Sequence, residues 1–239
     1  MAIGFDRFSA SDVDVRVNAR ARRIILRVDR VTGQVSVTVP SGRARAQGLA
    51  FAAARRGWIE TQLARATGPR PFADGVRFPL RGAPCLIVNE GAARTPVALE
   101  SRDALRVGGP PVRVNARTRA WLREEARRDV AKRVAVYAAR VGRAAGPIAI
   151  RDTRSRWGSC TRDGKLSFSW RLILTPPEIL DYVVAHECAH LRHLDHSRAF
   201  WRLVDQLGVD ADGARDWFRR HGAGLFAWGV EPPPDETAA

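Results

Sequence analysis

Four of the five histidines in this 239-residue chain lie within eleven residues, and their spacing constrains the local fold more than any other feature. The cluster comprises His186, His190, His193 and His196. Its first five residues read His-Glu-Cys-Ala-His, an HExxH pattern that a shuffled chain of this composition contains about 0.004 times. Residues four apart lie on one face of an α-helix, so His186 and His190 can bind the same metal ion. The pattern therefore predicts a helix that carries half of a tetrahedral metal site.

Glu187 follows the first of these histidines, about 100° further round the predicted helix. Its carboxylate then lies beside the ion, where it can take a proton from a zinc-bound water. Zinc lowers the pKa of that water towards 7, so a carboxylate is a strong enough base. A structural zinc site fills all four positions with protein ligands and has no use for such a base. Glu187 is therefore the candidate catalytic residue of a hydrolase, and a structural site or a histidine-rich helix end is the alternative.

The third metal ligand is predicted to be His196, six residues after His190, where the helix has ended and the chain turns back. His193 falls on the same helix face but lies about a turn too far along a straight helix to share the ion comfortably. A downstream carboxylate, Asp205 or Asp216, is the remaining option for this position.

Residues 1–112 are predicted to form a β-rich, basic region with one helix. Valines alternate with other residues between positions 13 and 39, which favours a small antiparallel sheet. A helix is expected at 43–66 and short strands at 75–108. The run Gly-Gly-Pro-Pro at 108–111 marks the expected domain junction near residue 112.

The second region, 113–230, is predicted to begin with a long helix after Asn115, an N-cap residue type. Apolar residues recur every three or four positions along this helix. Alternating patterns then predict strands at 148–150 and 166–170, just before the histidine cluster.

Helix boundaries are indicated most clearly around the cluster. Thr175 begins a capping-box sequence with proline in the first turn, which predicts a helix at 176–192. Ser197 is expected to cap a further helix that ends near residue 207, and residues 211–221 are expected to be helical. The tail at 231–239 is expected to be disordered.

Positive charge is concentrated in the first part of the chain. Residues 1–150 carry a net charge of +16 and residues 151–239 carry −1, and 38 of the 40 basic residues are arginine. Such a surface can attract nucleic acid or another anionic partner, although a solvated arginine-rich surface explains the same composition. A DNA-associated activity is therefore one alternative that the sequence leaves open.

Composition also bears on the compartment. No stretch reaches the roughly 18 apolar residues of a membrane span, and the start of the sequence lacks an apolar signal core. The three cysteines are widely spaced and odd in number, which does not suit a disulfide framework. A cytoplasmic protein with reduced thiols and no membrane partner is the expectation.

Three segments together resemble the YgjP-like metallopeptidase family, which is related to the SprT-like and WLM zinc proteases. They are RRIILRV at 22–28, RSRWGSC at 154–160 and KLSFSWRLILTPPEILDYVVAHECAHLRHLDHSRAFW at 165–201. The resemblance implies an α+β zincin-like domain at 113–230, in which the active-site helix packs on a small mixed sheet, after a β-rich N-terminal region. It also implies zinc bound at the positions that match His186, His190 and His196, with Glu187 as the base.

The sequence thus predicts a zinc-dependent metallopeptidase that acts on peptides or proteins, with residues 164–170 as a candidate strand edge for the substrate. Cys188 replaces the larger apolar residue usual in the family, and a buried cysteine is expected to serve equally well as a small hydrophobe. The alternatives are a nucleic-acid-binding protein with a structural zinc site, a DNA-associated protease, or a zinc hydrolase of another amide or ester.

Overall fold

A computed structural model of the chain describes residues 13–91 and 97–232, and these residues fall into two compact units. The first unit contains the described residues up to Pro71 and those after Gly229, and the second spans Phe72–Gly229. The sequence placed the junction near residue 112. In the structure the strands before that point belong to the second unit, because their side chains share its core. The predicted disordered tail lies outside the described residues from position 233 onwards.

The first unit contains a three-stranded sheet with its middle strand in the core. Its strands are β1 (Val13–Val17), β2 (Ile25–Val28) and β3 (Val35–Val39), in the order β1-β3-β2. Strand β2 pairs with β3 in an antiparallel hairpin, whereas β1 pairs with the other side of β3 in parallel. The expectation of an antiparallel sheet is therefore wrong for β1, since alternation defines the buried face of a strand and not its neighbours.

Two consecutive helices cover this sheet where one was predicted. They are α1 (Arg45–Ala54) and α2 (Arg56–Ala64), and they are separated by Arg55, whose backbone leaves the helical region. Ala52 of α1 and Ile59 of α2 join the buried valines of β3 in a small apolar core.

The second unit begins with a four-stranded sheet that forms one part of its core. The strands are β4 (Arg77–Leu80), β5 (Ala83–Asn89), β6 (Ala98–Ser101) and β7 (Ala104–Val107), in the order β4-β5-β7-β6. Cys85, Ile87 and Leu105 from the two central strands are fully buried.

The long helix α3 (Val114–Val141) buries an apolar stripe with the predicted spacing. Asn115 is not its N-cap, as was expected, but lies within its first turn. The side-chain oxygen of Asn115 accepts a hydrogen bond from the backbone N–H of Phe72, so the amide joins two distant segments instead of capping the helix. Neither α3 nor any other helix among the described residues is both long and apolar enough to cross a membrane.

A mixed three-stranded sheet follows, formed by β8 (Ile148–Arg151), β9 (Gly158–Cys160) and β10 (Leu166–Ser169). Strand β10 lies in the middle, parallel to β8 and antiparallel to β9. The expectation that residues 164–170 form a substrate edge is therefore wrong, because both edges of β10 are already paired. The edge strand that contacts α4 is β9, which was not predicted as a strand.

The helix α4 (Pro177–Ala189) carries the first part of the histidine cluster and is buried on most of its surface. It begins at Pro177, and Thr175 does not form the predicted capping box because its hydroxyl donates to the carbonyl of Leu172 instead. The helix also ends at Ala189, three residues earlier than predicted. It contacts both α3 and the edge strand β9, which confirms an α+β fold with this helix packed on a small mixed sheet.

Shorter helical segments complete the unit. The helix α5 (Arg198–Gln206) is capped by Ser197, whose hydroxyl accepts a hydrogen bond from the N–H of Phe200, as predicted. The helix α6 (Ala211–Trp217) continues through a π-helical turn at Phe218–Gly222 into the short α7 (Ala223–Leu225).

A buried arginine follows β10 in the chain, in the 3₁₀-helical turn Trp170–Leu174 that precedes α4. Arg171 is 1 % exposed and forms an ion pair with Asp152. It also donates to the carbonyl of Trp228 and lies 4.5 Å from the ring of Trp170. A guanidinium keeps its charge when buried, so the stability of the fold depends on these partners of Arg171.

We expect Asp152→Asn to lower the free energy of unfolding by about 3 kcal/mol, because it leaves the buried Arg171 charge uncompensated. Urea denaturation followed by circular dichroism measures this change. The control is Asp163→Asn, which removes an ion pair to the exposed Lys165 and should lower the free energy of unfolding far less. Equal costs for the two variants would contradict the importance of the buried pair.

Candidate active site

Three histidines meet at the C-terminal end of α4. His186 lies in the last turn of the helix, His190 is its C-cap residue, and His196 lies in the loop before α5. One ligand atom from each lies within 4.8 Å of the others, and the Nε2 atoms of His186 and His196 are 3.1 Å apart. Two nitrogens bound to zinc at tetrahedral angles are about 3.3 Å apart. The cluster thus has the dimensions of a metal site.

The other candidates for the third ligand lie outside this cluster. In the described part of the chain, the group of side chains with metal-binding geometry does not include His193, Asp205 or Asp216. His193 contributes its backbone instead, since Nδ1 of His190 lies 2.9 Å from the carbonyl oxygen of His193. Nδ1 is then the protonated nitrogen, and Nε2 of His190 keeps its lone pair for a metal.

Phe200 lies against all three imidazoles and is fully buried. Its ring centroid is 4.9 Å from that of His186, 4.5 Å from that of His190 and 4.9 Å from that of His196. Trp201 stacks on His196 at 5.7 Å. These two aromatic residues lie in the first turn of α5, so this helix supplies the apolar support that fixes the orientation of the rings.

The environment of His186 favours a neutral imidazole. Burial, together with the neighbouring His190 and His196, lowers the pKa of His186 to about 4. Its Nδ1 atom is buried and has no hydrogen-bond partner among the described residues. Neutral imidazoles are the form that binds transition metals, so these donors fit a divalent ion such as zinc.

Glu187 is 7 % exposed and lies against the backbone of β9. A Cβ atom built on Gly158 would be 2.6 Å from Oε1 of Glu187, so only glycine allows the strand to approach this closely. Burial raises the pKa of Glu187 to about 7, while the positive charge of Arg156 lowers it in part. No sequence pattern indicated a role for Gly158, although this residue belongs to the RSRWGSC segment.

A cavity of about 280 Å³ opens beside this carboxylate. Both His186 and Glu187 line it, together with Trp157, Tyr182, Arg215 and Phe218. Arg215 and Phe218 were not among the residues predicted from the sequence. They come from α6 and the turn after it, about 30 residues beyond the motif, and no local pattern connects them to it.

The cysteines behave as expected from the composition. Cys85, Cys160 and Cys188 are all free thiols. Cys188 is fully buried, and burial raises the pKa of its thiol to about 12. It is therefore a small core residue next to Glu187, as its replacement of a larger apolar residue had suggested.

A protein-family model of a metallopeptidase domain matches residues 22–221, which include the histidine cluster. The chain therefore contains a metallopeptidase domain. The matching model is the YgjP-like metallopeptidase domain, and the chain belongs to this family. The match includes the whole histidine cluster and confirms the resemblance of the three sequence segments. No curated protein and no solved structure matches the chain.

We expect the purified protein to contain about one zinc ion per chain, and His196→Ala to weaken zinc binding more than about 100-fold through the loss of a ligand. Competition with a chromophoric chelator measures the affinity. His193→Ala is the control, because the histidine contributes only its carbonyl oxygen and the variant should bind zinc normally. Normal binding by His196→Ala with weak binding by His193→Ala would contradict the assignment.

Proposed function

We propose that the protein is a zinc-dependent metallopeptidase in which Glu187 is the general base. The main support for this proposal is that the buried carboxylate of Glu187 lines the same cavity as His186, a member of the three-histidine cluster. Membership of a metallopeptidase family supports hydrolysis of peptide bonds in particular. A structural zinc site would not need a carboxylate in this position.

Each group in the site has a defined part in this reaction. His186, His190 and His196 would hold the metal, and a metal bound there would supply a Lewis acid for the substrate carbonyl and would lower the pKa of water. Glu187 accepts a proton from the attacking water and transfers it to the nitrogen of the leaving amine. Phe200 and the carbonyl of His193 keep the imidazoles oriented throughout.

The edge strand β9 offers a place for the peptide backbone. The backbone N–H of Ser169 donates to the carbonyl of Trp157, and the backbone N–H of Thr161 donates to the carbonyl of Lys165. The odd-numbered residues along β9 and at its two ends therefore pair with β10 and the residues that flank it. In an antiparallel pair the alternate residues then direct their N–H and C=O groups away. Gly158 and Cys160 therefore face the open edge, where an extended peptide can add as a further strand beside Glu187.

Glu187→Gln should lower kcat/KM for a denatured protein substrate by about 10²- to 10⁴-fold, the usual contribution of general acid–base catalysis. Zinc content should stay unchanged, because the substitution leaves the three histidines in place. Peptide release is followed by mass spectrometry. Glu178→Gln is the matched control, since it makes the same change at an exposed position in the first turn of α4. Full activity of Glu187→Gln would refute the assignment of the base.

A second activity, binding of single-stranded nucleic acid, is favoured by one surface of the first unit. Residues 13–71 contain 12 arginines and three acidic residues. A cavity of about 340 Å³ is lined by Arg23, Phe51, Arg55 and Trp58, among others. Trp58 is 45 % exposed, and the guanidinium of Arg55 lies 5.6 Å from the ring of Phe51. An exposed tryptophan and a half-buried phenylalanine between arginines suit stacked bases and a phosphate backbone.

For this activity we expect a fluorescent single-stranded oligonucleotide to bind with an affinity that falls steeply between about 50 and 200 mM salt. Trp58→Ala should weaken binding roughly 10-fold by removing one stacking platform. Arg65→Ala, an exposed arginine of the same unit outside the cavity, should have a smaller effect. Fluorescence anisotropy measures all three proteins. A wild type that fails to bind at low salt would eliminate this activity.

A further inference from the structure

We infer that the cavity beside Glu187 is a subsite for a carboxylate on the substrate residue next to the scissile bond, and that Arg215 selects it. The inference deepens the proposed peptidase function and rests on it. The specificity of this site is otherwise undefined, because the histidines and Glu187 act on the peptide group that all substrates share.

The side chain of Arg215 is held in place by its surroundings. Its Nε donates to the carbonyl of Ala211, 3.2 Å away on the same helix. Its guanidinium lies 4.8 Å from the ring centroid of Trp201, the residue that also stacks on His196. An arginine fixed in this way loses little conformational entropy when it binds a ligand.

The existing ion pair of Arg215 is weak enough for a ligand to replace it. Its partner Asp212 is 2.6 Å away, but the side chain of Asp212 is 94 % exposed. Such a surface pair contributes little free energy because water competes for both groups. The side chain of Arg215 is 48 % exposed, so a substrate carboxylate in the cavity could displace Asp212 and bind the guanidinium through charge-assisted hydrogen bonds.

The remaining walls suit the apolar part of one side chain. The rings of Trp157, Tyr182 and Phe218 line the cavity, and Trp157 stacks on Phe218 with centroids 4.7 Å apart. The volume of about 280 Å³ lies just below the roughly 300–1,000 Å³ of small-molecule sites, which suits a single residue. Glu187 also lines the cavity and would repel a second carboxylate. The substrate carboxylate must therefore point towards Arg215 and away from Glu187.

Two kinds of peptide present this chemistry. One has an aspartate or glutamate side chain next to the scissile bond, and the other ends there with its free C-terminal carboxylate. A set of otherwise identical peptides separates them: one residue beside the scissile bond is Glu, Gln or Lys, and the C-terminus is either free or amidated.

The test measures kcat/KM of the zinc-loaded wild type and of Arg215→Glu with each peptide. We expect the wild type to prefer the carboxylate-bearing peptides about 10- to 100-fold, as for a hydrogen bond to a charged group. Arg215→Glu should invert the preference and favour Lys, a gain that a misfolded protein cannot show. Loss of the preference on amidation alone would identify the C-terminal carboxylate as the group bound.

Arg219→Glu is the matched control, because Arg219 makes a similar ion pair with Asp216 but is 74 % exposed and does not line the cavity. It should keep the wild-type preference. If Arg215→Glu does not fold, Arg215→Gln serves in its place and should abolish the preference. Equal rates for Glu and Gln peptides with either C-terminus, or the same preference in the wild type and the Arg215 variant, would overturn the inference.

Binding measurements separate this outcome from failure of the proposed function. Isothermal titration of the same peptides into Glu187→Gln, with and without Arg215→Glu, needs no cleavage. One outcome is that the wild type cleaves none of the peptides while Glu187→Gln binds them in a way that depends on the carboxylate and on Arg215. That result would support the subsite and refute the peptidase. Binding that ignores the carboxylate would refute the subsite.

Discussion

The close contact between Gly158 and Glu187 is the constraint on which the site depends. Because position 158 has no side chain, the edge strand β9 can lie against α4 at the carboxylate itself. This approach buries Glu187 and raises its pKa, and it also brings the open edge of the mixed sheet beside the histidines. The absence of a Cβ atom at position 158 thus allows the base, the histidine cluster and the proposed substrate strand to lie close together. Any larger residue there would require the carboxylate or the strand to move.

The third histidine reaches the cluster through short-range interactions that reverse the chain after α4. Nδ1 of His190 donates to the carbonyl of His193, and the carboxylate of Asp195 accepts from the N–H of Ser197. Ser197 then caps α5, and the first turn of that helix places Phe200 beneath the three rings. Each interaction spans only two or three residues. The compactness of the motif explains why its geometry is local even though the fold around it is built from distant strands and helices.

The same distinction decides how much of the protein could be predicted from its sequence. The histidine spacing, Glu187 and the Ser197 cap depend on neighbours along the chain, and the structure brings the three predicted histidines together. The parallel pairing of β1, the pairing of β10 on both sides and the role of Asn115 depend on segments far away in sequence. Alternation and capping preferences identify faces and ends of elements, but they contain no information about which element becomes the neighbour.

Arg215 shows the limit of composition most clearly. In a chain with 38 arginines, another arginine on a helix carries no signal, and its spacing from Glu187 matches no motif. What distinguishes it from Arg219 is its environment: an indole face, a carbonyl that fixes Nε, and three aromatic rings around the adjoining cavity. The charge of an arginine is constant, so its effect on a ligand depends on how firmly the guanidinium is held beside the binding cavity. Specificity in this site therefore arises from packing that the fold creates around an otherwise ordinary residue.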